Sequence, residues 1–309
     1  RSFNSVMAAC AKCGDVERAE RLLDQMQATY QAPDVVTCNS MVHTLVQAED
    51  IQSARRWVLA MEERDITPDA VSYNTLIKGY AKSRSLTSAE NCLRHMQERS
   101  VAPDVVTYTS LISTCAHIGN FKSAELWLEA MVAAHVAPNL ATYTTVMKAC
   151  IKGKAPTRVG RWLETLRQEG LKPDLDTFNT VLNARGRSGD MGKAEKCFQE
   201  LLAAGHTPDS FSYGAMVNGY ANAGDRANAN VWLEKMEQRR LRPNIIIYSQ
   251  LMKVSIRAEP RQPAEAEDIF RRLVADGLKP DFVVLGTLTE ALGEESAKQL
   301  CRELGVLGW

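Results

Sequence analysis

Carboxylates and carboxamides recur at a fixed interval along this 309-residue chain. Asp34, Asp69, Asp104, Asn139, Asp174, Asp209 and Asn244 each follow a proline and stand 35 residues apart, and Asp281 follows after 37. An acid or amide at such a corner can accept the free N–H groups of a helix that starts there. Repeated along a stack, it can also present an acceptor, or with Asn a donor as well, to a ligand threaded past. A second polar column lies five residues after each corner: Asn39, Asn74, Thr109, Thr144, Asn179, Gly214 and Ser249, with Asn4 ahead of them. Asn is a mediocre helix former, and this column varies among Asn, Thr, Ser and Gly while its neighbours stay fixed. Variable small polar groups in a fixed frame suit a reading position. The amide of Asn matches a pyrimidine edge, and the hydroxyl of Thr or Ser adapts to a purine edge.

The elements that must position these residues follow from the same period. Ala32–Ser40 returns in close copy at Ala102–Ser110, and a period held through seven copies marks a repeat architecture. In one unit Tyr73, Ile77 and Tyr80/Ala81 recur at helical spacing, giving a first helix of about three turns. Ser83–Ser85 is a polar break. Ala89, Cys92, Leu93 and Met96 mark the apolar stripe of a second helix, which Pro103 prevents from continuing. Neither helix can bury its stripe alone, so the units must stack. An aromatic or Cys column (Phe3, Cys38, Tyr73, Tyr108, Tyr143, Phe178, Tyr213, Tyr248) and a column of second-helix alanines from Ala19 to Ala266 repeat in register. The expected fold is all-α: a right-handed α-solenoid superhelix of stacked helix–turn–helix repeats. Residues 1–281 form eight repeats, the first truncated at its N-terminus and the eighth carrying a two-residue insertion near Glu259–Pro263. Residues 282–309 form a partial repeat, with a helix over Glu294–Leu304 capping the stack. The fifth unit departs from the pattern, with Pro156 in its break and Val159 in the alanine column.

Composition narrows the function classes. With 45% hydrophobic and 24% charged residues the chain can bury a core and falls outside the disordered class. No apolar run reaches the roughly 18 residues of a membrane helix. Thirty-seven basic residues balance 37 acidic ones, which by itself does not favour a phosphate binder. Cys10, Cys115 and Cys150 share one column, Cys92 and Cys197 another, so they read as small core fillers rather than metal ligands or disulfides. The five His fall in different columns, and no phosphate loop, nucleophile motif or metal spacing occurs. No enzyme activity, metal or cofactor is expected. The chain opens inside a repeat, so the natural protein is expected to continue upstream.

The 35-residue period, Thr107-Tyr108-Thr109-Ser110-Leu111-Ile112 opening a first helix and Leu171-Lys172-Pro173-Asp174 closing a unit together resemble the pentatricopeptide repeat family. A tetratricopeptide array would show a 34-residue period and a Trp-x-x-Leu-Gly signature, and has neither match here. The resemblance implies single-stranded RNA as the partner, one base per repeat. It implies base-reading pairs: Asn4 with Asp34, Asn39 with Asp69, Asn74 with Asp104, Thr109 with Asn139, Thr144 with Asp174, Asn179 with Asp209, Gly214 with Asn244, and Ser249 with Asp281. The family's code then gives 5′-YYYAGYNG-3′, U preferred at Y and the Gly214 position open. It also implies that Val36, Val71, Val106, Phe211 and Ile246 sandwich bases, with Asp176 departing from that role. Lys12, Lys82, Lys152, Arg187 and Arg257, eight residues beyond their readers, form a basic stripe suited to phosphates. The implied setting is a mitochondrion or chloroplast, and the expected state a monomer off the membrane. The rival reading is a protein-binding solenoid scaffold, which zero net charge favours.

Overall fold

The computed structural model describes residues 2–257 and 262–306, less the side chains of Ser2, Gln27 and Arg257. The regular elements among them are all helices: α1 Ser2–Cys13, α2 Val16–Ala28, α3 Val35–Gln47, α4 Ile51–Glu63, α5 Ala70–Lys82, α6 Leu86–Glu98, α7 Val105–Ile118, α8 Phe121–Ala133, α9 Leu140–Lys152, α10 Val159–Gln168, α11 Leu175–Ser188, α12 Met191–Ala203, α13 Ser210–Asn222, α14 Arg226–Gln238, α15 Ile245–Arg257, α16 Pro263–Ala275, α17 Phe282–Leu292 and α18 Glu294–Glu303. A 3₁₀ turn, Pro156–Arg158, separates α9 from α10. The expected insertion falls mostly on residues 258–261, which lie outside the described residues.

Each helix starts and stops for a local reason. All eight corner residues cap a first helix, accepting the backbone N–H three residues on at 2.8–3.1 Å. Asp50, Asn120, Asp190 and Asp225 cap second helices in the same way. The proline before each corner keeps the preceding helix from running on. Gly119 and Gly189 end α7 and α11 at φ 76° and 75°, a left-handed conformation that glycine adopts without strain.

The chain forms two compact units, residues 1–158 and 159–309. In the first, α1, α3, α5, α7 and α9 pack in succession, with α2, α4, α6 and α8 against them. In the second, α11, α13, α15 and α17 pack in succession, with α12, α14, α16 and α18 against them. Each is a stretch of all-α repeat solenoid, and the division falls at the Pro156 departure noted in the sequence.

The repeating columns are the core. Tyr73, Tyr108, Tyr143, Phe178, Tyr213 and Tyr248 are buried, as are Met61, Met96, Met131 and Met236. Seven of the eight cysteines are buried and all are free; Cys13 is exposed. Burial pushes the thiols of Cys92, Cys115 and Cys197 up to about 12, so they sit in the core as neutral apolar groups.

Ala19, Ala54, Ala89, Ala124, Ala194, Ala229 and Ala266 have no exposed surface at all. A methyl is all that fits where two helices meet there. Ala124→Leu is expected to lower stability by about 1–3 kcal/mol through overpacking, read as a lower urea midpoint by circular dichroism. An unchanged midpoint would mean that the α7–α8 contact has spare room.

Candidate nucleic-acid interface

Capping brings the two polar columns together. Asp34, Asp69, Asp104 and Asp209 each stand at the N-terminus of one first helix, beside an Asn of the first helix before it. Asn39 Nδ2 donates to Asp69 Oδ1 at 3.0 Å, Asn74 to Asp104 at 3.1 Å and Asn179 to Asp209 at 3.1 Å. Asn4 reaches Asp34 more loosely, at 3.4 and 3.5 Å to its two oxygens. Thr109 does not bond Asn139 directly. Its hydroxyl meets that of Thr142 at 2.9 Å, and Thr142 donates to Asn139 Oδ1 at 3.0 Å.

The remaining pairs differ. Gly214 has no side chain, Ile247 packs against its α-carbon face, and Asn244 caps α15. Ser249 is buried and forms no hydrogen bond with Asp281, which caps α17. Thr144 and Asp174 lie in different units; the Thr144 hydroxyl donates to the Leu140 carbonyl at 2.9 Å.

A third column, not singled out in the sequence, completes the contacts. The hydroxyls of Thr37, Ser72, Thr107 and Ser212 donate to Oδ1 of Asn4, Asn39, Asn74 and Asn179 at 2.5–2.7 Å. All four hydroxyl residues are fully buried. The carboxylates respond. The Thr37 N–H is the main cause holding Asp34 below the usual carboxylate range. Burial works to raise Asp104, but hydrogen bonds from Thr107 and Asn74 outweigh it and its pKa also falls. Asp34 and Asp104 are therefore anions at neutral pH.

The rest of each first-helix face is open. Val36, Val71, Val106, Phe211 and Ile246 lie three residues before a reader, hence on the same helix face. Their exposure runs from 40% at Val106 to 75% at Phe211. Val283, 49% exposed, continues this column in α17 and was not foreseen. In each unit large apolar groups are thus left in water on the face of successive first helices, where a candidate ligand surface would lie. Asp176 is exposed in the same column.

The basic stripe is partly engaged. Lys12 is exposed. Lys82 Nζ donates to Gln47 Oε1 at 3.0 Å, and Lys152 Nζ to the His117 carbonyl at 2.6 Å, each partner standing 35 residues earlier at the equivalent position of the preceding repeat. Arg187 Nε donates to Asn183 Oδ1 at 3.1 Å. The Arg257 side chain lies outside the described residues. A second basic column, one turn rather than two beyond the reader, was missed: His43, Lys78, Lys148 and Lys253. Burial, then the charges of Lys82 and Lys78, hold the His43 pKa below the ordinary imidazole value, so two ammonium groups and a neutral imidazole crowd one spot. Counting one helical turn from each reader would have found them.

In the second unit a groove of about 330 Å³ between α11, α13 and α15 is lined by Arg187, Asn218, Asn222, Ile246 and Gln250, among others. It joins one expected phosphate residue and one expected sandwich residue in a single wall. A cavity of about 310 Å³ lies elsewhere, between α4 and α6, where Cys92 stands in the column of Trp57 and Trp127; it contains none of the paired polar residues.

A family model described as "PPR repeat family" matches residues 33–82, 68–117, 103–152 and 173–222. Related models, "PPR repeat" and "Pentatricopeptide repeat domain", match residues 1–28 and 211–241, and 142–188. Among solved structures the chain is similar to the pentatricopeptide repeat protein PPR10 from maize, at 25% identity and a TM-score of 0.52, covering 98% of this chain and 48% of that one. It is also similar to PPR10 in complex with an 18-nt psaJ RNA element, at 20% identity and a TM-score of 0.54, covering 99% and 56%. The chain thus spans about half the length of those proteins. No curated protein matches the sequence. The first family model alone covers more than half of the chain, and the chain belongs to the pentatricopeptide repeat family.

Proposed function

We propose that this chain binds single-stranded RNA, one base per repeat, and acts by occupancy rather than by chemistry. The observation that carries this is the Asn–Asp contact repeated at Asn39/Asp69, Asn74/Asp104 and Asn179/Asp209, each beside an exposed apolar side chain. A planar amide and a carboxylate supply directional donors and acceptors for a base edge. Val71, Val106 or Phe211 supplies a face for the base to rest on. That PPR10 was solved with an 18-nt RNA supports the partner class. The array is residues 1–281, and residues 282–309 close its end. The target is 5′-YYYAGYNG-3′, with U preferred at Y. The seventh base is unread because Gly214 and its packing neighbour Ile247 offer no polar group. The eighth assignment, Ser249 with Asp281, is the weakest, since no hydrogen bond joins the two side chains. The setting is a mitochondrion or chloroplast, where occupancy would mask, unpair or guide a transcript. The protein acts as a monomer.

The phosphate contacts come from both basic columns: Lys12, Lys82, Lys152, Arg187 and Arg257, joined by Lys78, His43, Lys148 and Lys253. Crowded cations are costly alone and favourable around a polyanion. The rival scaffold reading rests on zero net charge. It predicts no binding of RNA.

Three measurements bear on this. Thr109→Asn with Asn139→Asp should shift the preferred fourth base from A toward U by about 1–3 kcal/mol; equal loss on every RNA would remove the pair from base reading. Lys78→Ala with Lys82→Ala should weaken all RNAs alike and reduce the slope of log K against log salt by about 0.7 for each phosphate no longer neutralised; an unchanged slope would exclude them. His43 is held neutral in the free protein, so a phosphate beside it restores its proton. RNA affinity should therefore rise as pH falls through the range below the ordinary imidazole value, and His43→Gln should abolish the rise. A rise that persists in His43→Gln would place the proton elsewhere.

A further inference from the structure

We infer that the buried hydroxyl at the third position of each first helix is a specificity-determining positioning residue, which fixes the direction of the reader's hydrogen bonds in the repeat before it. This rests on the base-reading role proposed above and adds Thr37, Ser72, Thr107 and Ser212 to it.

The argument turns on counting protons. A hydroxyl has one hydrogen. Thr107 Oγ1 lies 2.6 Å from Asn74 Oδ1 and 2.9 Å from Asp104 Oδ1, and it already accepts from the Asp104 backbone N–H at 3.1 Å. The shorter contact takes the proton. Asn74 Nδ2 in turn donates to Asp104 Oδ1 at 3.1 Å. The result is a one-way circuit: Asp104 N–H to Thr107, Thr107 to Asn74, Asn74 to Asp104. Ser72 with Asn39 and Asp69, and Ser212 with Asn179 and Asp209, form the same circuit. Turning the amide over would set its oxygen against a carboxylate. Each latched Asn therefore keeps one N–H and one lone pair for a base, in a fixed order.

The fourth repeat lacks this one-way order. Asn139 Oδ1 is committed to capping, accepting from the Thr142 N–H and hydroxyl at 3.0 Å each. The Thr109 and Thr142 hydroxyls meet at 2.9 Å and either can donate, so this contact fixes no direction. Where the third position is apolar, at Ile247 and Val284, the preceding readers are Gly214 and Ser249 rather than Asn. All four Asn readers have the hydroxyl.

The test uses the chain and four RNAs containing 5′-UUNAGUUG-3′, one for each base at N. Thr107→Val is nearly isosteric and lacks the hydroxyl, which donates to Asn74 and accepts from the Asp104 N–H. It is expected to lower discrimination at N about fivefold, the factor for one ordinary hydrogen bond, while discrimination at the other positions is kept. Thr107→Ser should restore it. Loss of stability alone would weaken the four RNAs equally, so a purely structural hydroxyl would leave the ratios unchanged, and that result overturns the inference. Asn74→Ala separates the two layers. If it flattens N while Thr107→Val does not, the latch is wrong and the reader right. If neither does, base reading fails and the latch with it. Should Thr107→Val not fold, Ser212→Ala with the sixth base varied asks the same question in the second unit.

Discussion

The helix cap at the proline corner is the interaction on which the rest depends. A first helix begins with free N–H groups, and one acid or amide satisfies them. That requirement fixes the corner residue in space and holds the same Oδ1 beside the Asn of the preceding repeat at Asp69, Asp104 and Asp209. Asp69, Asp104 and Asp209 thus serve stability and the candidate site through the same carboxylate. Because the cap depends on the N–H three residues on, the residue there is held as tightly. Its hydroxyl is buried with no freedom to point elsewhere, which makes it fit to orient a neighbour. Precision in the site comes from groups that the fold has already fixed.

Charge follows the same division of labour. The chain is neutral overall, yet its two helix sets differ. Glutamates of second helices pair with arginines from adjacent repeats: Glu125 with Arg158 at 2.7 Å, Glu200 with Arg167 at 2.6 Å, Glu237 with Arg272 at 2.7 Å and Glu265 with Arg226 at 2.6 Å. Each such surface pair stabilises little. Together they use up acidic charge on the second-helix side. The first helices carry lysines one and two turns beyond their readers, and Lys78 and Lys82 are close enough to depress His43. A neutral sum conceals a polarised molecule.

Much of this was legible in the sequence. The period, both helices of each unit, the caps, the alanine column and the Pro156 departure all follow from residue types at fixed spacing, because each is set within one repeat. What stayed hidden depends on residues about 33 apart. The Thr107 hydroxyl looked like part of an invariant frame, since nothing local shows that its proton goes to Asn74. Ile247 filling the space beside Gly214 is likewise a contact between repeats. The His43 and Lys78 column lies one turn beyond the paired polar residues, whereas the basic stripe expected from the sequence lies two turns beyond them. Assigning Ser249 to Asp281 carried the repeat rule into a unit where the helix start has Val284 in place of a hydroxyl.

The central claim is that this face reads a single strand of RNA base by base. Its most direct test is binding of the chain to a labelled strand containing 5′-UUUAGUUG-3′ and to the same strand with the A and G exchanged, at two salt concentrations. The account predicts tighter binding to the first strand, weakened by salt on both. Binding to neither strand, or equal binding to both, would contradict it.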